Sequence, residues 1–288
     1  MSDDPSFSST PDDTPAPTVV GSSASLGRRI VPPVPPNAGR ASWMGLAVFL
    51  GAIVALAVAA YAYAIPFAAR LVLSAVPLSV DRTIGDLSFQ SIDGRLLRPS
   101  RLPDAEQARL RAAFEGAIAR ADGKDVVPTT LEFRASEIGP NAFALPGGRM
   151  VVTDELVSLV DGRHDVVIGV LGHEYGHVKA RHGVRMVAQS ALLRTVTSLV
   201  LGDFSAVLAA APALLGEQAY SRDFEREADA ESVRILRAAG ASPGAMVVFF
   251  EKLASKDLGN TGGVAIAFAS HPADAERVDF FRRAASPQ

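Results

Sequence analysis

The segment Val170-Leu171-Gly172-His173-Glu174-Tyr175-Gly176-His177 holds the residues of this sequence best spaced for chemistry. His173 and His177 lie four residues apart, slightly more than one helical turn. On a helix both imidazoles leave the same face and fill two corners of one tetrahedral zinc site. Glu174 sits about 100° round the helix from His173. It can reach a zinc-bound water without ligating the metal, which is the place of a general base. The plainer reading is two helical histidines with a carboxylate salt-bridge partner. The apolar run Val166 to Val170 argues against it, because it buries this face, where unpaired polar groups are costly. A catalytic zinc needs a third protein ligand and an open fourth position. The chain has no cysteine, so that ligand is His, Asp or Glu. On the segment from Tyr220 to Ala230, Glu225 and Asp229 are i and i+4 on one face beside Ala228, while Asp223, Arg226 and Glu227 point elsewhere. Taken alone, this acidic helix reads as a solvated face. Beside the histidine motif, the economical assignment is Glu225 as ligand and Asp229 as acceptor for an imidazole N–H.

His173-Glu174-x-x-His177 followed by Ser221-Arg222-x-x-Glu225-x-x-Ala228-Asp229 resembles the zinc metallopeptidase family of HtpX, the CAAX prenyl proteases, the mitochondrial Oma-type proteases and the periplasmic BepA-like proteins. Asn141 to Gly148 resembles that family's active-site edge strand, and Ser270-His271-Pro272 followed by Arg277 resembles its C-terminal element. The resemblance covers roughly residues 80 to 285. It implies an α+β fold, a helix-rich zincin (gluzincin) domain with a small β-sheet. It also implies one zinc per chain on His173, His177 and Glu225, with Glu174 as base and Asp229 as the acidic partner one turn on. A protein or peptide substrate would be bound as an added strand along Asn141, Ala142, Phe143 and Ala144, although an ordinary structural hairpin is the alternative there. His271 and Arg277 become candidate donors to a developing oxyanion. His271 has two other readings, a fourth zinc ligand that holds the enzyme latent, or a cap before Pro272. Zinc lowers the pKa of bound water toward about 7, so Glu174 can take its proton and pass it to the leaving nitrogen. Unlike the multi-span members the chain has one clear apolar segment, and it lacks the tetratricopeptide extension of the BepA-like ones, so their particular substrates do not carry over.

The elements that must position these residues follow from pattern. Ser79 to Asp122 reads as largely helical, with Leu87, Ile92, Leu110, Ala113, Phe114 and Ile118 near helical spacing and Pro103-Asp104 as an entry signal. Thr129 to Phe133 and Arg149 to Thr153, around the turn Pro146-Gly147-Gly148, predict a small sheet or hairpin. From Asp154 onward the pattern is helical, with Gly183, Gly240 and Asn260 to Gly263 as punctuation and Gly183 closing the motif helix. His164 and His182 read as structural, His182 as a cation favoured by that helix's C-terminal dipole. The apolar stretch Ala191 to Gly216 contains Arg194 and Asp203, which are expensive in lipid. It reads as a helical hairpin or lid, packed by the domain or against a membrane surface.

Composition sets the wider frame. A net charge of −3 over 288 residues leaves no basic footprint for nucleic acid. Mean hydropathy is +0.21 with 48% hydrophobic and 20% charged residues, so apolar residues must be concentrated somewhere. They are: 29 residues, Ala41 to Ala69, carry no charge, with Trp43, Tyr61 and Tyr63 toward the ends. This predicts one N-terminal transmembrane helix over 41–69 that contacts the lipid bilayer, after a disordered Pro/Ser-rich tail over 1–40. The alternative is a signal peptide cleaved after Ala62-Tyr63-Ala64, against which stand the forty residues that come first. Arg28, Arg29 and Arg40 before the span outnumber Arg70 and Arg82 soon after it, which favours a cytoplasmic N-terminus and a periplasmic domain on a bacterial inner membrane. The expectation is a membrane-anchored zinc metalloendopeptidase for misfolded or misassembled envelope proteins. Its rival is a latent, zinc-bound chaperone or assembly factor that holds clients by strand addition.

Overall fold

The computed structural model describes residues 38–59, 63–137, 139–201, 221–255, 271 and 275–286. The expectations for the tail over 1–37, for 202–216 of the second apolar stretch and for the Asn260 to Gly263 punctuation lie outside the described residues. The chain divides into two units, Met1–Ile53 and Val54–Gln288. Helices α1 (Ala38–Ala59) and α2 (Ile65–Ala75) cover the uncharged stretch, with 60–62 between them outside the description. On α1, Trp43, Met44, Val48, Phe49, Val54 and Leu56 are exposed. Among the described residues no helix is long and apolar enough to cross a membrane.

The second unit continues with α3 (Leu78–Ile92), β1 (Leu97–Pro99), α4 (Asp104–Asp122), β2 (Thr130–Ser136), β3 (Ala142–Ala144), β4 (Arg149–Thr153), α5 (Asp154–Leu159), α6 (His164–Lys179), α7 (His182–Leu201), α8 (Arg222–Ala238), α9 (Gly244–Ser255) and α10 (Ala275–Ala285). The sheet order is β1-β2-β4-β3. The two β-rich runs seen in sequence do not pair as a hairpin. β2 and β4 run parallel, Thr130 opposite Arg149 and Arg134 opposite Thr153, and the tight turn joins β3 to β4 in antiparallel register. Gly147 and Gly148 adopt φ of 82° and 93° in that turn, which side chains with a Cβ resist. β1 interrupts the expected helical run between α3 and α4, and its Leu97 is buried.

Leu131, Phe133 and Ala135 of β2 alternate inward, while Met150 to Thr153 of β4 are all buried, as befits a central strand. Against this sheet lie Leu110 and Phe114 of α4 and Val167, Leu171 and Tyr175 of α6, and the core continues through Ile235 and Leu236 of α8, Met246 and Phe250 of α9 and Phe281 of α10. Every residue from Val166 to His177 is buried, the mark of a helix enclosed on all sides. The motif helix does not run on to Gly183. It stops at Lys179, Arg181 turns through φ 54°, and Gly183 falls in the first turn of α7. The Arg181 guanidinium then holds both carboxylate oxygens of Asp81 and the carbonyls of Leu73 and Val76.

Candidate metal centre

Two glycines set the distance between α6 and α8. A Cβ on Gly172 would lie 3.0 Å from Ile235 Cβ and 3.2 Å from Ser232 Cα, and one on Gly176 would lie 2.8 Å from Ala228 Cα. Without those atoms the helices pack backbone against backbone, and Ser232 Oγ donates to Gly169 O at 2.7 Å. Ser221 caps α8 by accepting from Phe224 N. The helix therefore starts one turn before Glu225, and Glu225 and Asp229 face α6, buried.

His173, His177, Glu225 and His271 each offer one ligand atom, and these atoms all lie within 4.8 Å of one another, so the group can hold a metal ion. His173 Nε2 and His177 Nε2 face each other at 3.1 Å, while His173 Nδ1 meets Asp229 Oδ1 at 2.8 Å and His177 Nδ1 meets His182 Nδ1 at 2.9 Å. His271 Nδ1 lies 2.8 Å from Glu225 Oε1 and 3.3 Å from His173 Nε2. Glu225 Oε2 is buried without a hydrogen bond, approached by Arg277 Nη1 at 2.9 Å and His173 Nε2 at 3.4 Å. Imidazole nitrogens turned on each other around a buried carboxylate fit a cation, and the N and O donors suit zinc.

The electrostatics agree. Burial opposes a charge on His173, but hydrogen bonds to Asp229 and Glu225 outweigh it and lift this imidazole to about 9. Burial, helped by the charge on His173, holds His177 well below its ordinary value. Burial would raise Glu225, yet His173 and His271 hold its carboxyl far below the usual range. A cation entering this cage takes the place of a proton.

The sequence comparison decides the family: residues 104–285, more than half of the chain, match the model of peptidase family M48. The chain belongs to that family. It is 31% identical over 175 residues to the metalloprotease YcaL of Escherichia coli strain K12, covering 57% of this chain and 66% of the relative. It is 31% identical over 146 residues to the mitochondrial metalloendopeptidase OMA1 of Schizosaccharomyces pombe, 48% of this chain and 42% of the relative. It is 32% identical over 129 residues to the beta-barrel assembly-enhancing protease of Yersinia pestis, 40% of this chain and 26% of the relative. The chain thus spans about a quarter to two thirds of the length of these relatives.

In this M48 domain, Glu174 is buried beside β3 and its Oε2 accepts from Ala144 N at 3.0 Å. Burial pushes its carboxyl above the usual range. His271 Nε2 stands 3.8 Å from Glu174 Oε1. Arg277, expected as a donor to an oxyanion, instead gives Nε and Nη2 to Asp229 at 2.8 and 2.7 Å and Nη1 to Glu225. Its guanidinium pairs with Glu225 of the cage and with Asp229 behind His173. Of the expected substrate strand, Ala142, Phe143 and Ala144 form β3 at the sheet edge, and Asn141 precedes it, with its O accepting from Thr153 N at 2.9 Å. Beside Glu174 and His173 a cleft opens that is lined by Leu156, Val170, Met246, Phe249 and Phe250. His164 starts α6 and meets Glu106 at 2.6 Å. His182 is the residue that sequence reasoning placed wrongly. It opens α7, fully buried, with its Nδ1 against His177 Nδ1, and burial, only partly offset by Glu227, lowers its pKa rather than favouring a cation.

Proposed function

We propose that this chain is a zinc-dependent metalloendopeptidase. The observation that carries the reading is the adjacency of the four-residue ligand cage, the Glu174 carboxylate and β3 at the sheet edge. Zinc bound by His173, His177 and Glu225 would supply Lewis-acid polarisation of water and of the scissile carbonyl. Glu174, its pKa raised toward the working range of a general base, takes the proton of the attacking water and returns it to the leaving nitrogen. Asp229 holds the His173 Nδ1 proton and so turns Nε2 to the metal, and Arg277 keeps Asp229 and Glu225 in place. In the antiparallel β3–β4 pair, Asn141 and Leu145 bond to β4. The alternation turns the backbone polar groups of Ala142 and Ala144 away from β4. With the Ala144 N–H given to Glu174, the Ala142 N–H and C=O and the Ala144 C=O are the groups along which an extended polypeptide adds as a strand. The apolar cleft beside the base seats an apolar side chain next to the bond that is cut.

His271 favours a resting state that is closed, because it occupies the corner of the cage where water or substrate must enter. The sequence supports attachment of the domain to a membrane through residues 41–69, with a cytoplasmic N-terminus and a periplasmic catalytic domain. It follows that the substrates are misfolded or misassembled envelope proteins, and the name of the beta-barrel assembly-enhancing relative supports that class. Incubating the purified full chain, loaded with zinc, with an unfolded outer-membrane protein tests the reading. Cleavage is expected, blocked by a chelator and by Glu174→Gln, which keeps its zinc. Cleavage that survives Glu174→Gln sinks the hydrolytic mechanism. His271→Ala raises turnover if His271 closes the site, and lowers it if the residue is a transition-state donor.

A further inference from the structure

We propose that His182, backed by Glu227, is a positioning residue that fixes the tautomer and ring orientation of the metal-facing His177. The inference rests on the metal reading above. His177 Nε2 points into the cage, 3.5 Å from Glu225 Oε1, and needs its lone pair to bind a cation. Its proton then sits on Nδ1, the atom 2.9 Å from His182 Nδ1. Between two ring nitrogens one must donate and the other accept. His182 Nδ1 is therefore the acceptor, and the His182 proton sits on Nε2, which donates to Glu227 Oε2 at 2.9 Å. One proton arrangement satisfies the whole chain from the cage to Glu227.

The ring that carries this chain is held in its plane. His182 has no exposed surface and stacks on Phe224 with centroids 4.1 Å apart and planes 9° from parallel. Arg185 covers the same phenylalanine at 4.4 Å and approaches Glu227 at 3.6 Å. Phe224 and Glu227 flank Glu225 on α8, so one turn of that helix supplies a ligand and braces His182 behind the opposite ligand. The two ligand histidines thus have unlike supports. His173 leans on a buried carboxylate, whereas His177 leans on a neutral imidazole whose own carboxylate is 55% exposed. A metal-binding histidine held by a second partner of this kind loses about 10- to 100-fold in metal affinity when the partner is removed.

The test measures zinc affinity of the full chain in detergent by competition with a chromophoric chelator, and the ligand-field spectrum of the cobalt-substituted protein. His182→Phe keeps the stacked ring and removes the acceptor; it is expected to weaken zinc binding about 10- to 100-fold and to shift the cobalt bands. His182→Asn, whose Oδ1 can accept from His177, is expected to recover most of the affinity. Glu227→Ala changes an exposed position and is expected to weaken zinc binding by a smaller factor. An unchanged zinc affinity in His182→Phe overturns the proposal. So does His182→Asn binding no better than His182→Phe with both folded by their metal-free melting curves. If His182→Phe does not fold, Glu227→Ala decides, and parent-like affinity there overturns it. A parent chain that takes up no zinc defeats the metal reading itself, a different result from any of these.

Discussion

Helix α6 carries two polar clusters, one buried and one that reaches the surface, and they are built on opposite principles. Around Tyr175 and Lys179, the Asp122 carboxylate accepts from Tyr175 Oη at 2.5 Å, from Lys179 Nζ at 2.7 Å and from Arg234, and Tyr175 Oη accepts from Val127 N at 3.0 Å. Each carboxylate oxygen there meets a donor. Around His173 and His177, ring nitrogens converge on one another, and the buried Glu225 Oε2 has the Arg277 ion pair without an aligned hydrogen bond. Both clusters have perturbed pKa values, so perturbation alone does not mark a site. What marks it is the direction of the mismatch. The first cluster pairs donors with acceptors throughout, and the second turns imidazole nitrogens on one another, an arrangement that suits a cation.

That contrast can be broken from either side. The largest effect belongs to the histidine cluster: Glu174→Gln is expected to lower turnover about 10²- to 10⁴-fold while the melting temperature and the zinc content stay as in the parent. Gly176→Ala strikes both clusters, since its Cβ would lie 2.8 Å from Ala228 Cα on the metal side and 3.0 Å from Glu231 Cβ on the other. Denaturant melts should show a loss of about 1–3 kcal/mol, together with weaker zinc binding; a variant with parental stability and affinity would mean the helices are free to part. Asp122→Asn is the mirror of the first variant. It should cost up to about 1 kcal/mol of stability, because Lys179 and Arg234 are each more than a third exposed and keep water as a partner, with zinc affinity unchanged in the chelator titration.

The smallest effect is a pH dependence. Burial raises the Asp122 carboxyl, but Lys179, Tyr175 and Arg234 outweigh it and hold the pKa below its ordinary value. A depressed folded pKa adds stability above the unfolded value of about 3.9, and that stability fades as pH falls through the folded value. Acid melts of the metal-free chain should therefore converge with those of Asp122→Asn as pH drops below about 4. Curves that stay parallel would show that Asp122 is not held by charge.

Much of the metal centre was legible because its spacing is local. His173, Glu174 and His177 share one helix, and Glu225 and Asp229 share another at i and i+4. His182 was not legible, for a geometric reason. A residue five positions on sits about 140° round a continuous helix, away from His177. It comes to lie behind His177 only because Arg181 turns through φ 54° and a new helix starts. The parallel pairing of β2 with β4 was hidden as well, since partners in a sheet are not set by the residues between them. Arg277 shows a third limit: the family resemblance made it a candidate donor, while its placement depends on two carboxylates of α8. The glycines at 172 and 176 were visible in the sequence, but their meaning depends on α8, which packs against them.

The Arg181 contact also has a mechanical meaning. Its guanidinium ties the chain just beyond α6 to Asp81, 100 residues earlier, and to carbonyls at the end of α2. The segment between α2 and α3 is therefore linked to a turn four residues from His177 by a short cross-brace, and not only along the intervening polypeptide. The weakest part of that brace is a set of hydrogen bonds rather than a covalent link.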